Sequence, residues 1–369
     1  MDAALVARVL DIAVAIQQVP APPFAEGQRS AFVRQRFEAE GLNEVTVDEL
    51  GNVYACLPGG GAARPVVVSA HLDTVFPFDV DLRVRREADK IFGPGIGDNS
   101  LGLAGLFGLL WQLHRRSDPL PGDVWLVANV GEEGLGDLRG MKAVVERFDR
   151  DISAYVILEG LALGQVYHRA LGVQRYRITA RTEGGHSWVD YGRPSAVHEL
   201  AALVTRLAAL SVPSNPRSSL NVGVIAGGTS INTIAAEAHL ELDLRSENED
   251  ALQELVRRVA ALVVAAGTPE VAFSLELIGR RPAGRLPAED RLVRLAQECL
   301  RRQGLEPNLT IGSTDANIPL SRGLPAVCVG MSTGGGAHTV NEYIHTAPLS
   351  RGLAQLAALV EGIFALPGA

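Results

Sequence analysis

The sequence predicts an α/β protein interrupted by a smaller two-layer α+β domain, and three observations carry that reading. Interior-type strands rich in β-branched residues end in imidazole and carboxylate groups; a β-α-β-β-α-β rhythm fills roughly residues 173–277; and a helix-plus-strand pattern resumes from Asp290. The resumption makes the small domain an insertion, residues 172–283, between two parts of a larger domain, residues 1–171 and 284–369. A chain of 369 residues suits two domains better than one.

Along the chain, residues 3–17 recur apolar at helical spacing through Leu5, Val6, Val9, Leu10, Ile12 and Ile16, and Pro20, Pro22 and Pro23 stop the helix. A second helix is expected over 27–40, closed by Gly41, followed by short strands at 45–47 and 52–56 and a Gly/Pro turn at 58–61. Val66, Val67 and Val68 stand in succession inside the strand 65–70, as in a strand covered on both faces. His71, Asp73 and Thr74 follow it directly. A glycine-rich loop at 93–100 leads into a helix at 101–115; the strand 124–130 breaks at Gly131-Glu132-Glu133-Gly134; and the strand 154–158 delivers Glu159. Open α/β sheets place their sites beyond the carboxyl ends of their strands, so these three ends point to one convergent pocket.

In the insertion, strands are expected at 173–181, 221–226, 236–245 and 271–277, with helices at 196–209 and 251–266. His239, Glu241, Asp243 and Arg245 alternate with Leu240, Leu242 and Leu244, which gives one polar and one apolar face. Beyond Asp290 come a helix at 291–303, a strand ending near Gly312, a strand at 326–329 and a final helix at 350–364.

Composition narrows the class. Hydrophobic residues make up 47% and charged residues 21%, as in ordinary globular proteins, and a formal charge of -8 with scattered arginine pairs argues against a nucleic-acid partner. The three cysteines form no CxxC pair and are too few for a disulfide framework. The apolar stretch 101–113 is short for a membrane span and contains Gln112, so no membrane association is expected. Asp2 and Asp11 interrupt the N-terminal apolar pattern where a signal peptide would be basic and then continuously apolar, and the cytoplasm is the expected location. Gly93-Pro-Gly-Ile-Gly97 lacks the lysine and spacing of a nucleotide-binding loop.

Carboxylates at the ends of interior strands are expensive to bury unless cations compensate. Imidazole with carboxylates suits zinc, and also cobalt or manganese, whereas an all-oxygen set favours calcium or magnesium. No thiolate enters these motifs. Gly93, Gly95 and Gly97 tighten the loop before Asp98 and let it approach such a site, and the run Gly334-Gly-Gly-Ala-His338 fits a loop returning a distant imidazole to the first strands. A further polar loop, Gly312 to Asn317, makes Thr314 and Asp315 candidate pocket residues, although Asp315 could equally satisfy the backbone donors of its own loop.

His71-Leu-Asp73-Thr-Val75, Gly97-Asp98-Asn99-Ser100, Gly131-Glu132-Glu133-Gly134, Glu159, Gly185-His186-Ser187 and His338 together resemble the ordered signatures of the dinuclear zinc aminoacylase and carboxypeptidase-like metallopeptidases, including peptidase T and succinyl-diaminopimelate desuccinylase. The resemblance runs from about His71 to His338. It implies a phosphorylase/hydrolase-like catalytic domain with a ferredoxin-like dimerisation domain inserted, and two divalent ions per subunit. One ion is assigned to His71, Asp98 and Glu159 and the other to Asp98, Glu133 and His338, with Asp98 shared. Asp73 would orient His71 through its second ring nitrogen. A non-proline cis peptide is implied after Asp98, where Asn99 stands in place of a frequent second acid.

By the same resemblance Glu132 is the general base, taking a proton from the attacking water and returning one to the departing nitrogen. His186 would enter the site of a neighbouring subunit and stabilise the oxyanion, which implies a homodimer. Asn232 and Arg245 match substrate-holding positions, and the planar donors of Arg245 suit a terminal carboxylate. The expected reaction is hydrolysis of an amide bond in a small peptide, by an aminopeptidase, carboxypeptidase or dipeptidase. Deacylation of an N-acyl amino acid uses the same water attack and is the alternative; a non-enzymatic metal-binding scaffold is disfavoured by the presence of Glu132 beside the ligand set.

Overall fold

The computed structural model describes residues 2–42 and 44–367, which divide into two compact units, Met1–Ala170 with Arg285–Ala369, and Leu171–Gly284. In the larger unit, helix α1 (Ala3–Gln17) starts where the Asp2 carboxylate accepts the Ala4 N–H, and it buries Leu5, Val9, Ile12, Ala13 and Ile16 on one stripe. Helix α2 (Gly27–Ala39) follows, and Phe37 from it stacks at 4.5 Å on Phe107 of α3 (Gly102–Leu113). Helix α3 is buried nearly all round, as its composition demands.

These helices pack on a mixed sheet. Its first strands are β1 (Val45–Val47), β2 (Val53–Leu57), β3 (Val66–His71), β4 (Val124–Asn129) and β5 (Ala154–Glu159), in the spatial order β1-β2-β4-β3-β5, and β6 (Gln165–Ala170) lies further along, beyond the strand Ala326–Gly330. Strand β3 is buried along its whole length because β4 and β5 flank it in parallel. His71 pairs with Asn129, so β3 and β4 end level and the Gly131–Gly134 turn emerges beside the imidazole.

The smaller unit contributes β7 (Gly172–Arg181), β8 (Ser218–Gly227), β9 (Glu237–Ser246) and β10 (Ala272–Arg281), an antiparallel sheet in the order β8-β9-β7-β10. Helices α4 (Ala196–Ala208) and α5 (Glu249–Ala266) bury Leu200, Leu203, Leu255 and Val259 against Ile178, Leu240, Leu242 and Leu244. On the opposite face of β7 and β9 the charges pair: Arg175 with Asp243 at 3.0 Å, Arg177 with Glu241 at 2.7 Å and Arg181 with Glu237 at 2.9 Å. The period-2 alternation read along 236–245 is thus the split between a helix-covered and a charged face.

Back in the larger unit, β11 (Asn308–Gly312) pairs with β6, and β12 (Ala326–Gly330) lies parallel to β5 with Gly330 opposite Glu159. Helix α6 (Arg291–Arg302) and helix α7 (Leu349–Ile363) complete the unit. A small separate sheet joins Gly334–Gly335, Tyr343–His345, Lys90–Phe92 and Arg85–Arg86. It draws the C-terminal glycine loop back to the loop that carries Asp98. No helix among the described residues is long and apolar enough to cross a membrane.

Candidate metal centre

Strand β3 delivers His71 fully buried at its last position. The His71 Nδ1 lies 3.0 Å from the main-chain carbonyl of Asp73 and 3.7 Å from its carboxylate. Donation to the carbonyl fixes the tautomer and turns Nε2 outward. That atom stands 3.1 Å from Asp98 Oδ1 and 3.9 Å from Glu159 Oε2. The other oxygen of Asp98 is 3.1 Å from His338 Nε2, which is also 3.2 Å from Glu133 Oε1. All five expected donors therefore meet beyond the strand ends of the larger unit.

Asp73 contributes mainly through another contact. Its carboxylate accepts the backbone N–H of Glu132 at 3.0 Å and of Glu133 at 2.7 Å, and so clamps the turn carrying both acids. Asp73, expected to orient His71, thus faces that ring through its main-chain carbonyl and its carboxylate and also holds the Glu132-Glu133 turn. Both glutamates are buried.

The peptide bond between Asp98 and Asn99 is cis. The Asn99 amide donates to the Leu158 carbonyl at 2.8 Å and accepts the Gly160 N–H at 3.1 Å, tying the Asp98 loop to both sides of Glu159. His338 takes a left-handed backbone, φ 63, in a loop where Gly336 has φ 70.

Electrostatics agree with a cation site. Burial pushes the Glu159 carboxyl well above its ordinary range, with the nearby His71 opposing that shift. Burial disfavours charge on His71, yet the Asp98 and Glu159 carboxylates hold its pKa well above the usual imidazole value. Hydrogen bonds with Asp98 and Glu133 raise His338 to about 10. Two imidazoles and three carboxylates, all but His338 largely buried, crowd together here and favour positive charge among them. Single ligand atoms of His71, Asp98 and Glu133 already lie within 4.8 Å of one another. The donor set fits divalent ions with mixed nitrogen and oxygen preference.

Of the other expected residues, Thr314 is half-buried and its hydroxyl accepts the Ala316 N–H at 3.2 Å. Asp315 is fully buried and accepts from the Asn129 amide at 2.7 Å. In the smaller unit, the His186 Nδ1 accepts the backbone N–H of Trp188 at 3.2 Å and of Val189 at 3.3 Å. Two donors on Nδ1 place the proton on Nε2, which makes the exposed edge of the ring a hydrogen-bond donor. Asn232 is on the adjoining segment, its carbonyl accepting the Ser187 N–H at 3.0 Å. Arg245 projects from the charged face of β9 and pairs with Asp243 at 2.7 Å.

Arg29 was not anticipated. It is buried, donating to the carbonyls of Val19 at 2.7 Å and Leu72 at 2.8 Å, and burial pushes its pKa down to about 10 while Asp73 opposes the shift. A signal existed, because Arg29, Val33 and Phe37 recur at intervals of four on one helical stripe.

His71 and His338 on either side of the Asp98 carboxylate, with Glu133 and Glu159 beside them, make a candidate metal centre. Residues 67–362 match Peptidase family M20/M25/M40, and the chain belongs to that family. A peptidase M20 domain-containing protein of Schizosaccharomyces pombe is 30% identical over 232 residues, which are 58% of this chain and 54% of that protein. The chain thus spans about half the length of that relative. The structure of a tripeptidase from Staphylococcus aureus superposes with a TM-score of 0.84 at 22% identity, covering 98% of this chain and 99% of the other. The YXEP protein of Bacillus subtilis, a dinuclear metal-binding peptidase of the M20 family, gives 0.69 at 19% identity over 99% of each chain.

Proposed function

We propose that the protein hydrolyses an amide bond in a small peptide bearing a free carboxylate, with two divalent ions, zinc foremost, at the site. The observation that carries this reading is Asp98, whose two oxygens each stand 3.1 Å from a different imidazole. His71, Asp98 and Glu159 would hold one ion, and Asp98, Glu133 and His338 the other. When bound, such ions acidify water and polarise a carbonyl oxygen.

Glu132 is the general base. It follows Gly131 on a turn clamped by Asp73, so its carboxylate is positioned while its neighbour Glu133 faces His338. It takes the proton of the attacking water and returns one to the departing nitrogen. His186, with Nε2–H outward, is the donor for the oxyanion in the site of a second copy, and this role makes the working species a homodimer. Asn232 and Arg245 hold the substrate carboxylate. The peptidases among the solved relatives support the substrate class.

The test joins metal analysis with product identification on dipeptides, longer peptides and N-acyl amino acids. Cleavage of peptides by protein carrying two ions is expected. Turnover confined to N-acyl amino acids would replace the peptidase reading with a deacylase, and no turnover of any amide by the loaded protein would end it. Loss of activity without loss of dimerisation in His186→Ala would support the cross-subunit donor, and unchanged turnover would reject it.

A further inference from the structure

Glu342 is fully buried, and its carboxylate meets three backbone donors of one loop. The Gly95 N–H reaches Oε2 at 3.1 Å, while those of Gly97 and Asp98 reach Oε1 at 2.7 and 2.8 Å. Its main-chain carbonyl accepts a fourth, from Gly93, at 2.9 Å. His338 lies four residues before Glu342, and Tyr343 directly after it pairs with Phe92 in the small sheet. One side chain therefore joins the segment that presents His338 to the loop that presents Asp98.

Burying a carboxylate without such donors is costly, and accepting several N–H groups is the strong, charge-assisted form of compensation. Helix ends, strands and solvent are all alternative partners for loop amides; a buried acid from a segment 244 to 247 positions away is a specific solution. We propose that Glu342 is a positioning residue of the metal centre: it fixes the Asp98 loop to the His338 segment, so that the shared carboxylate and the second imidazole are assembled before an ion arrives. The proposal rests on the two-ion reading above. In Glu342→Gln one side-chain oxygen remains for Gly97 and Asp98, but the amide nitrogen turns N–H groups toward the Gly95 donor. In Glu342→Ala all three donors lose their partner.

Metal affinity measured by chelator competition, the absorption spectrum of the cobalt-loaded protein and thermal unfolding of the metal-free protein test this together. Loss of an outer partner of a metal site costs about 10–100-fold in affinity. A loss of that size is expected in Glu342→Gln, larger in Glu342→Ala, with a shifted cobalt spectrum at temperatures where every form is folded. Wild-type affinity and spectrum in both variants would overturn the proposal, as would an affinity loss that vanishes once titrations are made well below the unfolding transition. A wild-type protein that takes up no divalent ion would instead overturn the two-ion reading beneath it.

Discussion

Asp98 places one carboxylate oxygen 3.1 Å from His71 Nε2 and the other 3.1 Å from His338 Nε2. Its carboxyl is held below the ordinary range, since burial raises it but the hydrogen bonds from both imidazoles outweigh that effect. In the proposed two-ion site this one residue would serve both half-sites, so removing it differs from removing any other donor. Asp98→Ala is predicted to weaken binding at both positions, beyond the roughly 10–100-fold that an outer partner costs. His338→Ala should chiefly affect one. Metal stoichiometry after dialysis separates them: Asp98→Ala protein retaining one tightly held ion would contradict the shared role.

Glu132 and Glu133 are adjacent yet predicted to fail differently. Glu133 Oε1 stands 3.2 Å from His338 Nε2, whereas Glu132 is placed by the Asp73 clamp on the same turn. Glu132→Gln should keep its metal and lose about 10²–10⁴-fold in kcat, the usual contribution of a positioned acid–base group. Glu133→Gln should lose metal affinity first. If adding excess ion restores Glu132→Gln, the assignment of the two glutamates is reversed.

How far these roles could be read from the sequence depended on what kind of partner each residue has. His71 and Glu159 were legible because β3 and β5 are runs of buried residues, and a polar group ending such a strand needs a reason to be there. The two faces of β9 were legible from alternation alone. Asp315 left two readings open because a polar loop near a strand end reads alike whether its acid faces a pocket or bonds a side chain such as Asn129. The clamp by Asp73 and the three-amide contact of Glu342 were hidden for a common reason. Their partners are backbone N–H groups, which carry no residue identity, and for Glu342 they lie 244 to 247 positions away.

Metal uptake should expel protons. His338 is raised to about 10 by Asp98 and Glu133, and the neighbouring carboxylates hold His71 well above the usual imidazole value despite burial, so both shifts favour the cationic, doubly protonated ring in the metal-free protein. Ligation requires the neutral ring. Binding at pH 7 is therefore predicted to release protons, and apparent affinity to climb as pH rises toward about 10. Calorimetry in two buffers of different ionisation enthalpy measures the release; heats independent of buffer would refute it. The same shift acts on the metal-free fold with a definite sign. Because the His338 pKa is higher folded than unfolded, its stabilisation is full below about 6.5 and is lost as pH rises through about 10.

Gly160 follows Glu159, and Gly97 precedes Asp98, so the approach of these two glycines sets how closely the two carboxylates can come. A Cβ at position 160 would lie 1.9 Å from the Gly97 carbonyl oxygen and 3.0 Å from Leu101 Cβ, contacts that backbone must move to relieve. The Asn99 side-chain oxygen accepts the Gly160 N–H at 3.1 Å, a contact that such a movement would strain. Gly160→Ala is predicted to destabilise the metal-free protein by about 1–3 kcal/mol, the range for overpacking, and to weaken metal binding at the His71, Asp98 and Glu159 half-site. Gly27→Ala is the control: a Cβ there meets nothing within 4 Å at the start of α2, and stability should hold or rise by about 0.4–1 kcal/mol. Chemical denaturation and chelator competition on both variants decide the matter. Equal stability and equal metal affinity in Gly160→Ala would show that the spacing of the two carboxylates does not depend on this close approach.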